Sequence, residues 1–490
     1  MKIVLIYPDI NEGAGYSGAY YTGMGILSAV LRQAGHGVQL LHITQPITEE
    51  GFYKRIEPML PEKGPILIGF SITSNMLPFL ETWSKWIKMK WAKAIIIAGG
   101  VHPTLTPEDT IALPSVDIVC VGEGEGAIVE LTDSIAKGEI PTGIRNLWIK
   151  QTDGKVEKNP LRPLVDLDSL PIPDRDIYDF INLHNESRGE ANLVVSRGCP
   201  YHCTYCCNDA LREVNKGLGR PVRFRSVPLV IEEIKSIVHD YPSINRIVFC
   251  DDILPLWRKW FSDFSKTYAS EIAIPFTCNL RPNLVNEEIV SELKQAGCVE
   301  IRFGLESGND DVREKIMNRQ LTREQMLYAF RVCKNAGIKT FAFNIVGLPG
   351  ECVEQMLDTV KLNADVMADV TRVTIFYPYP KTKLYDLCAE MNILTDHVVI
   401  DYAQDSMLDF SKTHSSRVLF IRRYFPILVK VYRFLRVKQK VKLEKCLDKL
   451  MVAPWSAKLV YPLLNKLYEL VRNSAALDRW AMAFRRKFFG

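Results

Sequence analysis

Between Ser196 and Asp209 the chain reads S-R-G-C-P-Y-H-C-T-Y-C-C-N-D, placing Cys199, Cys203, Cys206 and Cys207 within nine residues. Such a cluster of thiols is suited to a disulfide knot, a zinc site or an iron–sulfur cradle. A structural zinc site usually takes two C-x2-C or Cys/His pairs to close four ligands. Here one C-x3-C-x2-C stands without a second pair nearby, and His202 lies inside it. Three thiolates on one tight loop hold three corners of an iron–sulfur cubane and leave one iron open to a small molecule. That is the logic of a catalytic site, with Cys207 outside the spacing.

Composition weighs against the disulfide reading. The 490 residues include 12 cysteines, most of them single within apolar runs. Cys120, Cys250, Cys278 and Cys298 read as small buried hydrophobes. The apolar run after Met1-Lys2 stops at Pro8-Asp9, too short for a signal peptide, and no apolar stretch reaches the ~18 residues of a membrane span. The expectation is a cytoplasmic protein with reduced thiols.

Around this motif the chain divides into regions. From 1 to 140, KIVLIY, VQLLHI, PILIGFSI, AIIIAGG and DIVCVG alternate with helical patterns. Continuous apolar runs of this kind predict parallel strands in a Rossmann-like, doubly wound α/β sheet. Residues 141–190, Pro-rich and polar, read as a linker. A second alternation over 191–394 contains NLVVS, RIVFC, AIPFTC, VEIRFG, TFAFNIV and RVTIFY. It predicts a partial, TIM-like (β/α)6 barrel, two repeats short of a full one. Residues 395–490 read as a basic helical region. Residues 411–490 carry 19 Lys/Arg against 4 Asp/Glu, a net of +15, so the total of +4 leaves 4 − 15 = −11 for the rest.

Unusual residues gather just after each strand of the second region: the cysteines, Asp251-Asp252, Asn279 and Arg281, Glu306-Ser307-Gly308, Gly347 to Glu351, and Pro378 to Pro380. In a parallel barrel those ends form one rim, where active sites are built.

Residues 190 to 390 resemble the radical S-adenosylmethionine (SAM) enzymes. The resemblance rests on C-x3-C-x-Φ-C with Tyr205 before the third cysteine, then FCDDI, FGLESG, NIVGLPGE and YPYPKTKLYD in order. It implies a [4Fe-4S] cluster on Cys199, Cys203 and Cys206, with SAM chelating the fourth iron and cleaved by electron transfer to a 5′-deoxyadenosyl radical. It also implies an external one-electron reductant of the flavodoxin or ferredoxin type. SAM contacts are implied for Tyr205, Asp252, Arg281, Glu306 and Ser307. Two departures stand out. The family's Gly-Gly-Glu is replaced by Cys250-Asp251-Asp252, which passes the SAM ammonium contact to an Asp, and its Pro-Gly-Thr by Pro380-Lys381-Thr382.

The first region resembles the cobalamin-binding domain often fused ahead of this barrel. The matching features are the Gly-rich loop 9–25, Ser71 and Thr73, Gly99-Gly100 with His102, and Gly122-Glu123-Gly124-Glu125. No D-x-H-x-x-G motif is present, and the first loop lacks histidine. Cobalamin is therefore expected without a protein imidazole on cobalt, His102 lying on another loop.

The segment 418–450 interleaves Arg/Lys with Phe, Tyr, Leu and Val, and AFRRKFFG repeats that composition. Two readings fit: a helix resting on an anionic membrane at the inner surface, suited to a lipid-like substrate, or a helical cap whose basic face packs on the acidic body. Nucleic acid is not expected, because no recognition motif accompanies the charge. The leading expectation is a cobalamin-dependent radical SAM methyltransferase acting on an unactivated centre of a small-molecule or lipid-like substrate. Its alternatives are a cyclase or oxidoreductase with the same cofactors, and a non-catalytic corrinoid or iron–sulfur sensor.

Overall fold

The computed structural model describes residues 1–10, 16–151, 153–395, 399–400, 406–409 and 415–453, with Leu463 and Lys466. The closing AFRRKFFG segment and part of the first glycine-rich loop lie outside the described residues.

Five apolar runs form parallel strands: β1 (Lys2–Pro8), β2 (Gly37–Ile43), β3 (Leu67–Ser71), β4 (Ile95–Gly99) and β5 (Ile118–Cys120). β3 and β5 are buried at every position, as strands covered on both faces must be. β6 (Leu147–Lys150) and β7 (Val156–Lys158) then add antiparallel to the edge, giving the order β2-β1-β3-β4-β5-β6-β7. The stretch expected to be linker from 141 thus begins as sheet. Its LWIK run alternates buried and half-buried residues, a short strand pattern obscured by polar flanks. Because β1 pairs with β2 on one side and β3 on the other, the strand order switches sides there, and a crevice opens at the carboxyl ends.

The second sheet starts with β8 (Glu190–Leu193). The chain then peels off into β9 (Ser196–Arg197), which pairs antiparallel with β10 (Arg223–Phe224). β11 (Arg246–Phe249), β12 (Phe276–Leu280), β13 (Cys298–Glu306), β14 (Lys339–Val346) and β15 (Val370–Ile375) follow in sequential parallel order, a curled half barrel. Ala191, Leu193, Ile247, Phe249, Ile301 and Phe303 are buried in the apolar core. The intervening Asn192, Asn279, Arg302 and Phe341 are only partly buried, as period-two alternation requires. Cys120, Cys278 and Cys298 are buried as expected. Cys250 is exposed instead, because it follows β11 in the phase that faces a cavity rather than the helices.

One apolar core runs through both sheets. Tyr20 meets the rings of Tyr178 and Phe180 edge-on, each 5.3 Å away. Beside them Glu233 is wholly buried and accepts from Arg175 at 2.5 Å and from Arg225, joining the interdomain chain to the barrel. Replacing Glu233 with Ala leaves two buried guanidiniums without their carboxylate. It is expected to destabilise the fold by about 3–5 kcal/mol, the cost of breaking a buried pair from one side, read as a lowered denaturant midpoint.

The basic C-terminal region is a cap in its described part. Helix Ser415–Val437 buries Val418, Ile421, Phe425, Val429 and Tyr432 with Met356, Val360 and Ile375 of the barrel. Arg436 pairs with Asp365 and, at 2.8 Å, with Glu444. No helix among the described residues is long and apolar enough to cross a membrane.

Candidate active site

Gly198, at φ +84°, turns the chain out of β9, and a Cβ there would collide with the Pro221 carbonyl. The loop Cys199–Cys206 follows, and Cys206 caps helix Cys207–Val214. Partners distant in sequence fix this loop. Arg212 Nη2 donates to the carbonyls of Cys199 and Tyr201 at 2.6 and 2.7 Å. Asn318 Nδ2 donates to the His202 carbonyl at 2.8 Å, and Thr204 Oγ1 to the Ile316 carbonyl at 2.6 Å.

All three expected ligands are free thiols on this one loop. Cys203 is buried, and Arg281 Nη1 and Arg319 Nη1 each lie 3.7 Å from its sulfur. Two guanidiniums on one buried sulfur suit a thiolate carrying an anionic cluster. Burial pushes the Cys199 thiol up to about 11, so deprotonation there favours a bound metal over a free thiolate. Cys207 opens the helix directly after Cys206, and this neighbouring thiol, together with burial, raises the Cys206 thiol. The donor set therefore fits a cluster on Cys199, Cys203 and Cys206.

The rim residues separate into two groups. Asp252 is exposed beside the cysteine loop and accepts from Asn208 Nδ2 at 2.8 Å; burial of its surroundings raises its carboxyl. Its neighbour Asp251 is buried and instead straps the end of β8 through the amides of Val195 and Ser196. Glu306 follows a bulge at the end of β13 with φ +66°, close to Arg281 and Arg319, and burial outweighs those charges to raise its carboxyl. Gly304 lies against both side-chain ends: a Cβ there would press on the Glu306 carboxylate and the Arg319 guanidinium, which would have to shift. Tyr205 lends its hydroxyl to Arg319 Nη1 at 3.1 Å. Arg281 is stacked 3.8 Å over Tyr201 and donates to Asn283 at 2.8 Å. Ser307 is not brought to the site: its wholly buried hydroxyl meets Thr359 at 3.4 Å, within the barrel wall.

A cavity of about 630 Å³ lies between the two sheets. From the first sheet, Ser71, Gly99, Gly100, Gly122 and Gly124 line it, with Leu5, Gly69 and Ile97. From the barrel side come Asn192, Ser196, Cys199, Asn208 and Cys250. Glycines at the carboxyl strand ends leave a broad backbone-walled opening of the kind a large flat ligand needs. Thr73 and His102 do not line it. Thr73 Oγ1 donates to Asn75 at 2.6 Å. Both ring nitrogens of buried His102 are engaged, one with Ser74 and one with Thr106, each at 3.1 Å, and burial lowers its pKa to about 4. It is a neutral core histidine. Glu123 and Glu125 line the cavity but point their carboxylates at Arg197 and Arg223 of the barrel.

Arg197, Arg212, Arg223 and Arg319 carry no motif of their own. Only the fold brings Arg319, the second residue after Met317, to Cys203.

A half barrel with a three-cysteine loop, opening onto the same cavity as a Rossmann-like sheet with a glycine-lined crevice, defines a corrinoid-type radical SAM architecture. Comparison with known proteins agrees. The radical SAM superfamily model matches residues 193–362 and the B12 binding domain model residues 19–132. An uncharacterized methyltransferase of Pyrococcus horikoshii is 30% identical over 401 residues, 80% of this chain and 84% of that protein. The anaerobic magnesium-protoporphyrin IX monomethyl ester cyclase of Rubrivivax gelatinosus is 23% identical, over 79% and 69% of the two chains. Among solved structures, the methyltransferase TsrM of Kitasatospora setae, with cobalamin and a [4Fe-4S] cluster bound, shares the fold at TM-score 0.63 and 17% identity, covering 80% and 78%. The chain belongs to the family of radical SAM enzymes with a B12-binding domain.

Proposed function

We propose that the chain is a cobalamin-dependent radical SAM methyltransferase acting on an unactivated carbon or phosphorus centre. The observation that carries this reading is the single cavity lined both by the glycine ends of the first sheet and by Cys199. When bound, the cluster with SAM supplies a radical that abstracts substrate hydrogen, and the corrinoid supplies a transferable methyl group. The protein's part is to hold and shield them. Cys199, Cys203 and Cys206 hold the cluster. Asp252 offers a carboxylate to the SAM ammonium, and Glu306 faces the same rim with Tyr205 and Arg281 nearby. Ser71, Gly99, Gly100, Gly122 and Gly124 would cradle the corrinoid, and no histidine stands among the described residues that line the cavity.

Incubation with SAM labelled in its methyl group, a reductant of the flavodoxin type and candidate substrates tests the proposal by mass analysis. Label in the product supports methyl transfer. 5′-Deoxyadenosine without transferred label supports the second reading, a cyclase or oxidoreductase, which the cyclase relative favours. Neither product would leave only a sensor. The proposed substrate is a small, poorly soluble molecule. The outer face of helix Ser415–Val437 keeps Leu419, Ile427 and Phe434 exposed, so peripheral contact with an anionic membrane belongs to the same proposal, checked by vesicle cosedimentation.

A further inference from the structure

Four charged side chains join the two sheets across the edge of the cavity. Arg197, two residues before Cys199, donates Nη1 to Glu123 at 2.8 Å and Nη2 to Glu125 at 2.5 Å. Arg223, its partner in the β9–β10 pair, donates Nη2 and Nη1 to the two oxygens of Glu123 at 2.6 and 3.1 Å. The interdomain chain is tied in as well: Arg223 Nη1 donates to the Val165 carbonyl at 2.5 Å, and the Val165 amide donates to Glu123 at 2.9 Å. The four side chains are between 11% and 25% exposed, so solvent screens them weakly. The Arg197 and Arg223 guanidiniums hold the Glu123 carboxyl below the usual range although burial opposes this. Two carboxylates face two guanidiniums, and the charges cancel.

The position of this group matters more than its strength. Glu123 and Glu125 belong to the glycine loop that lines the corrinoid side of the cavity. Arg197 opens the loop that carries the cluster cysteines. Apolar packing between domains is non-directional and tolerates sliding, whereas a guanidinium fork fixes both distance and angle. We infer that Glu123, Glu125, Arg197 and Arg223 form a spacing clamp that sets the separation between the corrinoid and the cluster. They act as positioning residues: they border the cavity, but their hydrogen bonds run to one another and to Val165. The inference rests on the proposed cofactor sites. It explains why the carboxylates of the G-E-G-E run, which lines the cavity throughout, pair with arginines of the barrel side.

The test is the magnetic dipolar coupling between cob(II)alamin and the reduced cluster in reconstituted full-length protein, with iron and corrinoid content measured on the same samples. The wild type should give one narrow distance distribution. Glu123→Gln with Glu125→Gln should retain both cofactors but broaden or shift the distribution by on the order of 1 Å, a displacement large enough to cost about 100-fold in a reaction that needs alignment. Arg197→Lys, which keeps the charge and loses the fork, should broaden it less, and it decides the matter if the double variant folds poorly. A loaded double variant with the wild-type distribution, or a loaded Arg197→Lys indistinguishable from wild type where the double variant does not fold, overturns the clamp alone. A wild type that binds no corrinoid or no iron overturns the cofactor assignment and the clamp with it.

Discussion

Cys199→Ala, Cys203→Ala and Cys206→Ala should each lose the charge-transfer absorption of the reconstituted protein, most of its iron and all formation of 5′-deoxyadenosine. Three ligands on one loop leave no redundancy, so removing any of them opens a second iron. The loop should survive the change, because Arg212, Asn318 and Thr204 hold it through backbone groups that an alanine leaves in place. Cys203→Ala is the severest of the three. It also leaves Arg281 and Arg319 without the sulfur they both approach, although each keeps a second acceptor, Asn283 Oδ1 and the Gly304 carbonyl respectively. Cys207→Ala is the control. Cys207 falls outside the C-x3-C-x2-C spacing, so iron content should remain at the wild-type level. Iron lost from Cys207→Ala to the same extent would show that the ligand set has been assigned one residue out.

The cysteine spacing was legible because it is local. Loop closure over a few residues makes cysteine spacing readable without knowledge of the fold, and strand periodicity is equally local. All the apolar runs chosen as strands form strands, with ends shifted by a few residues. One shift falls after β8, where Ser196 leaves the barrel to pair with Phe224. Charged contacts were not legible. Arg197 meets its carboxylates 74 and 72 residues away in sequence, and Arg223 meets Glu123 across 100. No periodicity records such pairings. A glycine-glutamate loop therefore read as a ligand cradle throughout, whereas its glycines line the cavity and its carboxylates cross to the barrel. Ser307 and His102 lie apart from the cavity for the opposite reason. Each neighbours a rim residue in sequence, but strand and helix geometry turns adjacent side chains to different faces. Cys250 shows the same effect, its phase after β11 directing it into the cavity rather than the core.

Gly99→Leu should abolish corrinoid binding while sparing the fold and the cluster. A Cβ at Gly99 meets only Cys120 Cβ at 3.5 Å and the Phe70 carbonyl at 3.9 Å, ordinary contacts, and its backbone φ needs no glycine. Gly99→Ala should therefore be nearly silent. The longer Leu side chain has the cavity before it, so in the cofactor-free protein it buries apolar surface at little steric cost, and the melting temperature should hold or rise slightly. With corrinoid present the same atoms occupy ligand volume. Affinity, followed by the visible spectrum on titration, should fall at least about 100-fold, or about 2.7 kcal/mol. Gly100 separates this effect from simple misfolding. Its φ is +103°, and a Cβ there would lie 2.6 Å from the Ile72 carbonyl, so Gly100→Ala should destabilise the first sheet whether or not ligand is present. A variant that gains stability as it loses ligand is difficult to explain unless Gly99 is small to admit that ligand. Undiminished corrinoid binding by Gly99→Leu would move the corrinoid away from the carboxyl end of β4 and remove the shared cavity as the basis for the proposed chemistry.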